Sequence, residues 1–190
     1  MKKKISQIAE IKSGYLFKEG ISPDREGNVS VVQLKDVNER GILNSQELQR
    51  VSMDKIGSEN FLSVGDVILK AKTNRPVSAV IKEPLPNAIA TAHYFIITLK
   101  RQEVIPGYLS WYLNQRPAQI YFNRNAGGTR IQVINKQLLG NLEIVVPDIK
   151  TQEAIEKVYA LHQREQNLMD VIKEKKHDLV LAQLLGVVRK

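Results

Sequence analysis

The chain has 190 residues, no cysteine and a single tryptophan. Without thiols it can form neither disulfides nor thiolate metal sites. No secretory signal follows Met1-Lys-Lys-Lys4, and no apolar run approaches the roughly 20 residues that cross a bilayer, so a soluble, cytoplasmic protein is expected. There is no glycine-rich nucleotide loop leaving a strand and no Asn-Pro-Pro-aromatic motif of the kind amino-methyltransferases carry. Pro147-Asp148 with Glu174-Lys175-Lys176 spells a loose nuclease signature, but its parts flank or occupy one long helix and cannot converge. His162 and Glu165 sit one helical turn apart while His93 and His177 are isolated, a pattern that suits a solvated helix face better than a metal site. No catalytic residue, metal ligand or cofactor of its own is expected.

Acidic residues are also scarce, in one region above all. The chain carries 28 Lys plus Arg against 20 Asp plus Glu, a formal charge of +8. Between Pro84 and Leu142 the only acid is Glu103, whereas Lys100, Arg101, Arg116, Arg124, Arg130 and Lys136 all fall there. From Ile149 onward the charges nearly balance, which puts the positive field on the part before it. That asymmetry favours a nucleic-acid-facing surface over a merely basic one.

Residues 1–147 read as one compact domain and 148–190 as a helix. Val29–Leu34, Asp66–Ala71, Tyr94–Leu99 and Leu142–Val146 are short β-branched runs, punctuated by turn residues at Gly27-Asn28, Gly41, Gly57, Pro84 and Pro86-Asn87. Behind Pro106, the residues Tyr108, Leu109, Tyr112 and Leu113 recur at helical spacing and form a core face. Tyr15-Leu16-Phe17-Lys18 reads as core more readily than as an aromatic contact surface. The strand through Val146 stops at Pro147, which cannot donate to a ladder. Thr151, followed by Gln152 and Glu153, is the expected N-cap of the helix beyond it.

From Thr151 to about Leu185 no proline or glycine intervenes, so one helix would reach roughly 50 Å at 1.5 Å per residue. Heptad spacing aligns Ala154, Leu161, Leu168, Lys175 and Ala182 in one row and Val158, Glu165, Ile172, Leu179 and Gly186 in another. Glu165 and Lys175 break an otherwise apolar seam. The terminal Leu179–Leu185 run is apolar on more than one face and implies a partner. Val158, Leu161, Leu168, Ile172 and Leu179 are therefore expected to form a dimer or partner face, the alternative being a helix lying on its own domain.

Two loops carry the candidate chemistry for DNA. In Asn123–Gln132, Gly127 and Gly128 allow close backbone approach to a phosphate, Arg130 can make a bidentate base contact, and Asn125 and Gln132 can pair with adenine edges; Arg124 and Thr129 lie in the same loop. In the second, Lys70, Lys72, Asn74 and Arg75 leave a strand into a turn. For the first, a hairpin or strand connection with an exposed Arg is an equal alternative.

Several segments, taken in order, resemble one family. They are Ile5-Ser-Gln-Ile8-Ala-Glu-Ile11-Lys-Ser-Gly14, then Phe61-Leu-Ser-Val-Gly65-Asp66-Val-Ile-Leu69, then Ile105-Pro106-Gly-Tyr108-Leu109-Ser-Trp111-Tyr112-Leu113. Gly127-Gly128-Thr129-Arg130, Leu138-Leu139-Gly-Asn-Leu142 and the Pro147-x-x-x-x-Gln152-x-x-Ile155 junction follow. Together they look like one half of a specificity (S) subunit of type I restriction-modification systems. Such subunits usually carry two recognition domains and two long helices, whereas this chain holds one of each, and Lys70–Pro76 stands where the family often has glycines.

The resemblance implies an α+β fold, a mixed β-rich target recognition domain followed by one long coiled-coil helix. It implies double-stranded DNA as ligand and a methyltransferase (M) subunit as partner, joined in a full complex by a restriction (R) subunit. S-adenosylmethionine, magnesium and ATP would belong to those partners. Two copies pairing their helices antiparallel would form a homodimer and read a split palindrome. Another nucleic-acid-binding module, or a coiled-coil adaptor without catalysis, stays open as the alternative.

Overall fold

A computed structural model describes residues 1–127 and 132–188, with Gln132 described in its backbone alone. At its centre is an antiparallel four-stranded sheet in the order β2 (Ala9–Ser13), β9 (Tyr94–Leu99), β5 (Val67–Lys70), β7 (Ser78–Val80). The two inner strands are apolar without alternation because both their faces are covered. Val67, Leu69, Phe95 and Ile97 enter one core, and Ile68, Tyr94 and Ile96 enter another on the opposite face.

The first core is closed by helices α1 (Ile5–Ile8), α2 (Pro106–Leu113), α3 (Arg116–Asn125) and α4 (Lys136–Asn141), through Ile5, Ile8, Tyr108, Leu109, Leu113, Phe122 and Leu139. The second is closed by a three-stranded sheet, β4 (Gln49–Val51), β3 (Val29–Val32) and β8 (Ala88–Ala90), in which β3 and β8 run parallel. The outer face of that sheet buries Val29, Val31, Val51 and Ile89 beneath Tyr15 and Phe17. Tyr15 and Phe17 pack half-buried against this cluster, while Leu16 and Lys18 are exposed. Gly14 itself lies against β8, where a Cβ would overlap the carbonyl oxygens of Ala90 and Thr91.

Gly65-Asp66 is a built turn. Gly65 has φ +92°, and the Asp66 carboxylate accepts from the Ser63 amide (2.8 Å) and the Thr98 hydroxyl (2.6 Å), tying the start of β5 to β9. The expected strand over 142–146 is β11 (Glu143–Val145), which pairs antiparallel with β1 (Lys2–Lys4). The run 29–34 is a strand only to Val32, after which Leu34–Asp36 turn as a 3-10 helix.

The long helix, α5, spans Ile149–Val188. Its N-cap is Asp148, not Thr151. The Asp148 carboxylate accepts from the Thr151 amide at 3.0 Å and from its hydroxyl at 2.7 Å, so Thr151 lies inside the first turn. A carboxylate is the better cap because its charge also meets the positive end of the helix dipole. At the far end the helix runs through Gly186 rather than stopping near Leu185.

Gln152 fastens the base of α5 to the domain. None of its surface is exposed, its amide donates to the carbonyls of Glu103 (2.8 Å) and Pro147 (2.9 Å), and its oxygen accepts from the Ile105 amide (3.0 Å). Farther along, the Arg40 carbonyl accepts from Gln163 (2.6 Å) and Tyr159 (3.5 Å), and the Arg40 guanidinium pairs with Asp170 at 2.6 Å. From Asn167 through Val188 every residue is exposed. The helix therefore touches its own domain as far as Asp170 and stands clear of it beyond.

Candidate nucleic-acid interface

The two candidate loops, some 60 residues apart in sequence, share one ribbon. The strand β6 (Lys72–Thr73) pairs antiparallel with β10 (Gln132–Val133), setting Gln132 opposite Thr73 and Val133 opposite Lys72. The ribbon continues from the central sheet, because Ala71 donates to the His93 carbonyl (2.7 Å) and accepts from the Ile134 amide (2.9 Å), with Ile134 buried. Gly127 joins its edge through the Val133 amide at 2.9 Å. A Cβ on Gly127 would meet nothing within 4 Å, so the space beside it is open.

The turn leaving β6 is anchored from beneath. Gln119 donates to the carbonyls of Pro76 (3.0 Å) and Leu113 (2.8 Å), and Asn114 clamps both backbone groups of Ser78 at 2.8 and 2.9 Å. Lys72, Asn74 and Arg75 are exposed above this base. Sequence reasoning missed Asn114 and Gln119; nothing in their spacing marks them, because their partners lie across a tertiary contact.

Lys70 departs from its expected place. It is half-buried, and its ammonium donates to the Val37 carbonyl at 2.5 Å. Burial lowers its pKa from the ordinary 10.5, against the opposing pull of Glu39 and Asp36. Lys70 is thus a structural cation that holds the 37–40 turn.

Arg124 and Asn125 also depart from expectation, since they belong to the last turn of α3 and not to a loop. Pro117 in the first turn and the buried pair Ala118 and Phe122, four apart, make that segment helical. Arg124 is exposed there, and the Asn125 side-chain amide donates to the Tyr121 carbonyl at 2.7 Å. Gly128, Thr129 and Arg130 lie outside the described residues, as does the side chain of Gln132.

Among the described residues, Lys72, Arg75 and Arg124 have no carboxylate partner. Their charge is available to a phosphate backbone. The other cations of the acid-poor region do not all converge here: Lys100 and Lys136 line a separate shallow cavity of about 340 Å³ beside Glu10. Arg75 also faces a polar cleft of about 620 Å³ between domain and α5, with Asn114, His162 and Asp170 on its walls. No group of three or more His, Cys, Asp or Glu residues suited to a metal occurs among the described residues. Among them, no helix is long and apolar enough to cross a membrane.

Residues 1–178 match the family model for the type I restriction modification DNA specificity domain. A crystal structure of the type I restriction-modification system S subunit from M. genitalium superposes with a TM-score of 0.60 at 21% identity, covering 91% of this chain and 41% of that one. The HsdS subunit from Thermoanaerobacter tengcongensis gives 0.56 at 14% identity, over 87% and 37%. A structure described as the basis of complex assembly and conformational transition of the type I R-M system gives 0.57 at 13% identity, over 89% and 39%. The chain spans about two fifths of the length of these three structures, which share its fold. Comparison with curated proteins finds no match. With α+β architecture, mixed sheets and one long C-terminal helix, and with the family model matched from its first residue into the second half of α5, the chain belongs to the type I restriction modification DNA specificity domain family.

Proposed function

We propose that this chain recognises a DNA sequence and brings a type I methyltransferase subunit, and in a full complex a restriction subunit, to it. Residues 1–147 act as the target recognition domain and 148–190 as a helical spacer that docks the partners. The chemistry resides in those partners. The observation that carries the reading is the β6–β10 ribbon, which unites both candidate loops on an anchored base, with Lys72, Arg75 and the nearby helical Arg124 having no carboxylate partner among the described residues. Phosphate contacts would set the position of the duplex, and Asn74, Asn125, Arg130 and Gln132 would supply the groups that distinguish bases.

Two copies joined through α5 would present two such ribbons. Val158, Leu161, Leu168, Ile172 and Leu179 are between 53% and 67% exposed, an apolar face that water disfavours. Neither the family match nor the fold neighbours support a different nucleic-acid module or a structural adaptor.

Mobility shifts of a duplex at several salt concentrations test the proposal. Affinity should fall steeply with salt, with a log–log slope of about 0.9 per phosphate contact. The combined Lys72→Ala, Arg75→Ala, Arg130→Ala variant should bind weakly and with a shallower slope. Unchanged affinity in that variant would remove the ribbon from the interface.

A further inference from the structure

We infer that a second copy of this chain covers α5 in one antiparallel register, whose two-fold axis is level with Asp170, and that Glu165 and Lys175 select that register. The inference deepens the dimer reading above and rests on it. The domain's own hold on α5 leaves both heptad rows exposed. Ile155, Glu156, Tyr159, Ala160, Gln163 and Gln166 are half-buried and Asp170 is paired with Arg40, whereas every residue of the two rows is exposed, although Ala154 and Val158 border a cavity that Trp111 and Gln115 of the domain also line.

Each row contains a single charged residue amid apolar or small ones: Lys175 in one, Glu165 in the other. A parallel, in-register pair would set each row against itself, so that Glu165 faces Glu165 and Lys175 faces Lys175. Like charges in a desolvated seam oppose association. An antiparallel pair instead sets one row against the other. With the axis level with Asp170, Leu168 meets Ile172 of the second copy, Leu161 meets Leu179, Val158 meets Ala182 and Ala154 meets Gly186. Glu165 then meets Lys175, twice. The two residues that interrupt the apolar seam become each other's partners.

Neighbouring registers lose this match. Sliding by one heptad in one direction sets Lys175 against Ile172 and Glu165 against Ala182; sliding in the other sets Lys175 against Val158 and Glu165 against Leu168. Lys175 would then be taken from water with no carboxylate across the seam, and Glu165 with only His162 of its own helix, 3.7 Å away, beside it, which disfavours those registers. The flanks agree with the first register. Arg164 comes beside Asp178 of the second copy at both ends. Met169 and Val171 are apolar residues outside either row, 53% and 46% exposed, and each would meet its own counterpart beside the axis.

The absence of native cysteine makes the register directly readable by crosslinking. Leu161→Cys and Leu179→Cys variants, mixed and oxidised, should give a disulfide-linked dimer. Neither alone should, because its two substituted positions would lie about 27 Å apart along the pair at about 1.5 Å per residue, far beyond disulfide reach. Glu165→Lys should weaken the dimer at least about tenfold by setting Lys against Lys, and adding Lys175→Glu should restore it. Self-crosslinking of Leu161→Cys alone would mean a parallel pair and would overturn the inference. A dimer by light scattering with neither mixed crosslink nor charge-swap rescue would overturn the register while sparing the dimer. A wild-type monomer at tens of micromolar would overturn the dimer reading itself.

Discussion

Gln152 has no surface in water, yet its amide and oxygen satisfy three backbone groups, those of Glu103, Ile105 and Pro147. Gln152→Ala would leave all three without their partner beside a new cavity, and we expect a loss of about 2–4 kcal/mol in urea denaturation. Gly14→Ala should be costly for a different reason, since its Cβ would overlap the Ala90 and Thr91 carbonyls and the backbone at the end of β8 would have to move; a lowered melting temperature of the whole domain is the expected reading. Asp148 sets a pH dependence. The Thr151 hydroxyl and then its amide hold the Asp148 carboxyl below the ordinary 3.8. A depressed folded value means that the cap's contribution is complete above the unfolded value and is lost as pH falls through the folded one. The first turn of α5 should therefore loosen in acid, and Asp148→Asn, which keeps an accepting oxygen, should flatten that response in circular dichroism or amide exchange.

At the scale of elements, local sequence was most informative where one residue type dominated a short run. Tyr94–Leu99 is a strand over the whole expected span, and Tyr108, Leu109 and Leu113 are buried in a helix begun by Pro106. The start of α5 was misassigned by three residues because Asp148 and Thr151 are both good caps and only geometry shows which carboxylate or hydroxyl reaches the free amides. The pairing of β6 with β10 was not legible, since two-residue strands carry no periodicity and their register is set by anchoring at Ala71 and Ile134. Lys70 looked like its neighbour Lys72, and tertiary burial alone separates them. The exposed rows of α5 were legible because heptad spacing is a property of the helix itself. Substituting Leu161, Leu168 and Ile172 together with Glu would place six more acids in the proposed seam of a dimer, and light scattering should then report a monomer whose domain melts as in the wild type, since these residues are exposed in a single chain.

For the whole molecule, the proposed dimer fixes the form of the target. Two identical ribbons related by a two-fold axis read the same bases on opposite strands, so methylome sequencing of a host carrying this chain with its methyltransferase should show a split palindrome. An asymmetric bipartite site would mean that the second recognition unit is a different one. The apolar residues Val180, Leu181, Leu184 and Val187 lie off the dimer seam and remain for another protein surface.

The buried amide at the root of α5 acquires its meaning at this scale. Measured from Gln152, the tip at Val188 is about 54 Å away at about 1.5 Å per residue, so a tilt of about 5° at the root would swing the tip by about 5 Å. That sideways displacement is about half the roughly 8–10 Å between the axes of packed helices, enough to part the rows near the tip. Gln152 at the root and the Arg40–Asp170 strut midway act together as a two-point bearing for a lever arm, and the aim of a rod that long is decided by three hydrogen bonds at its base.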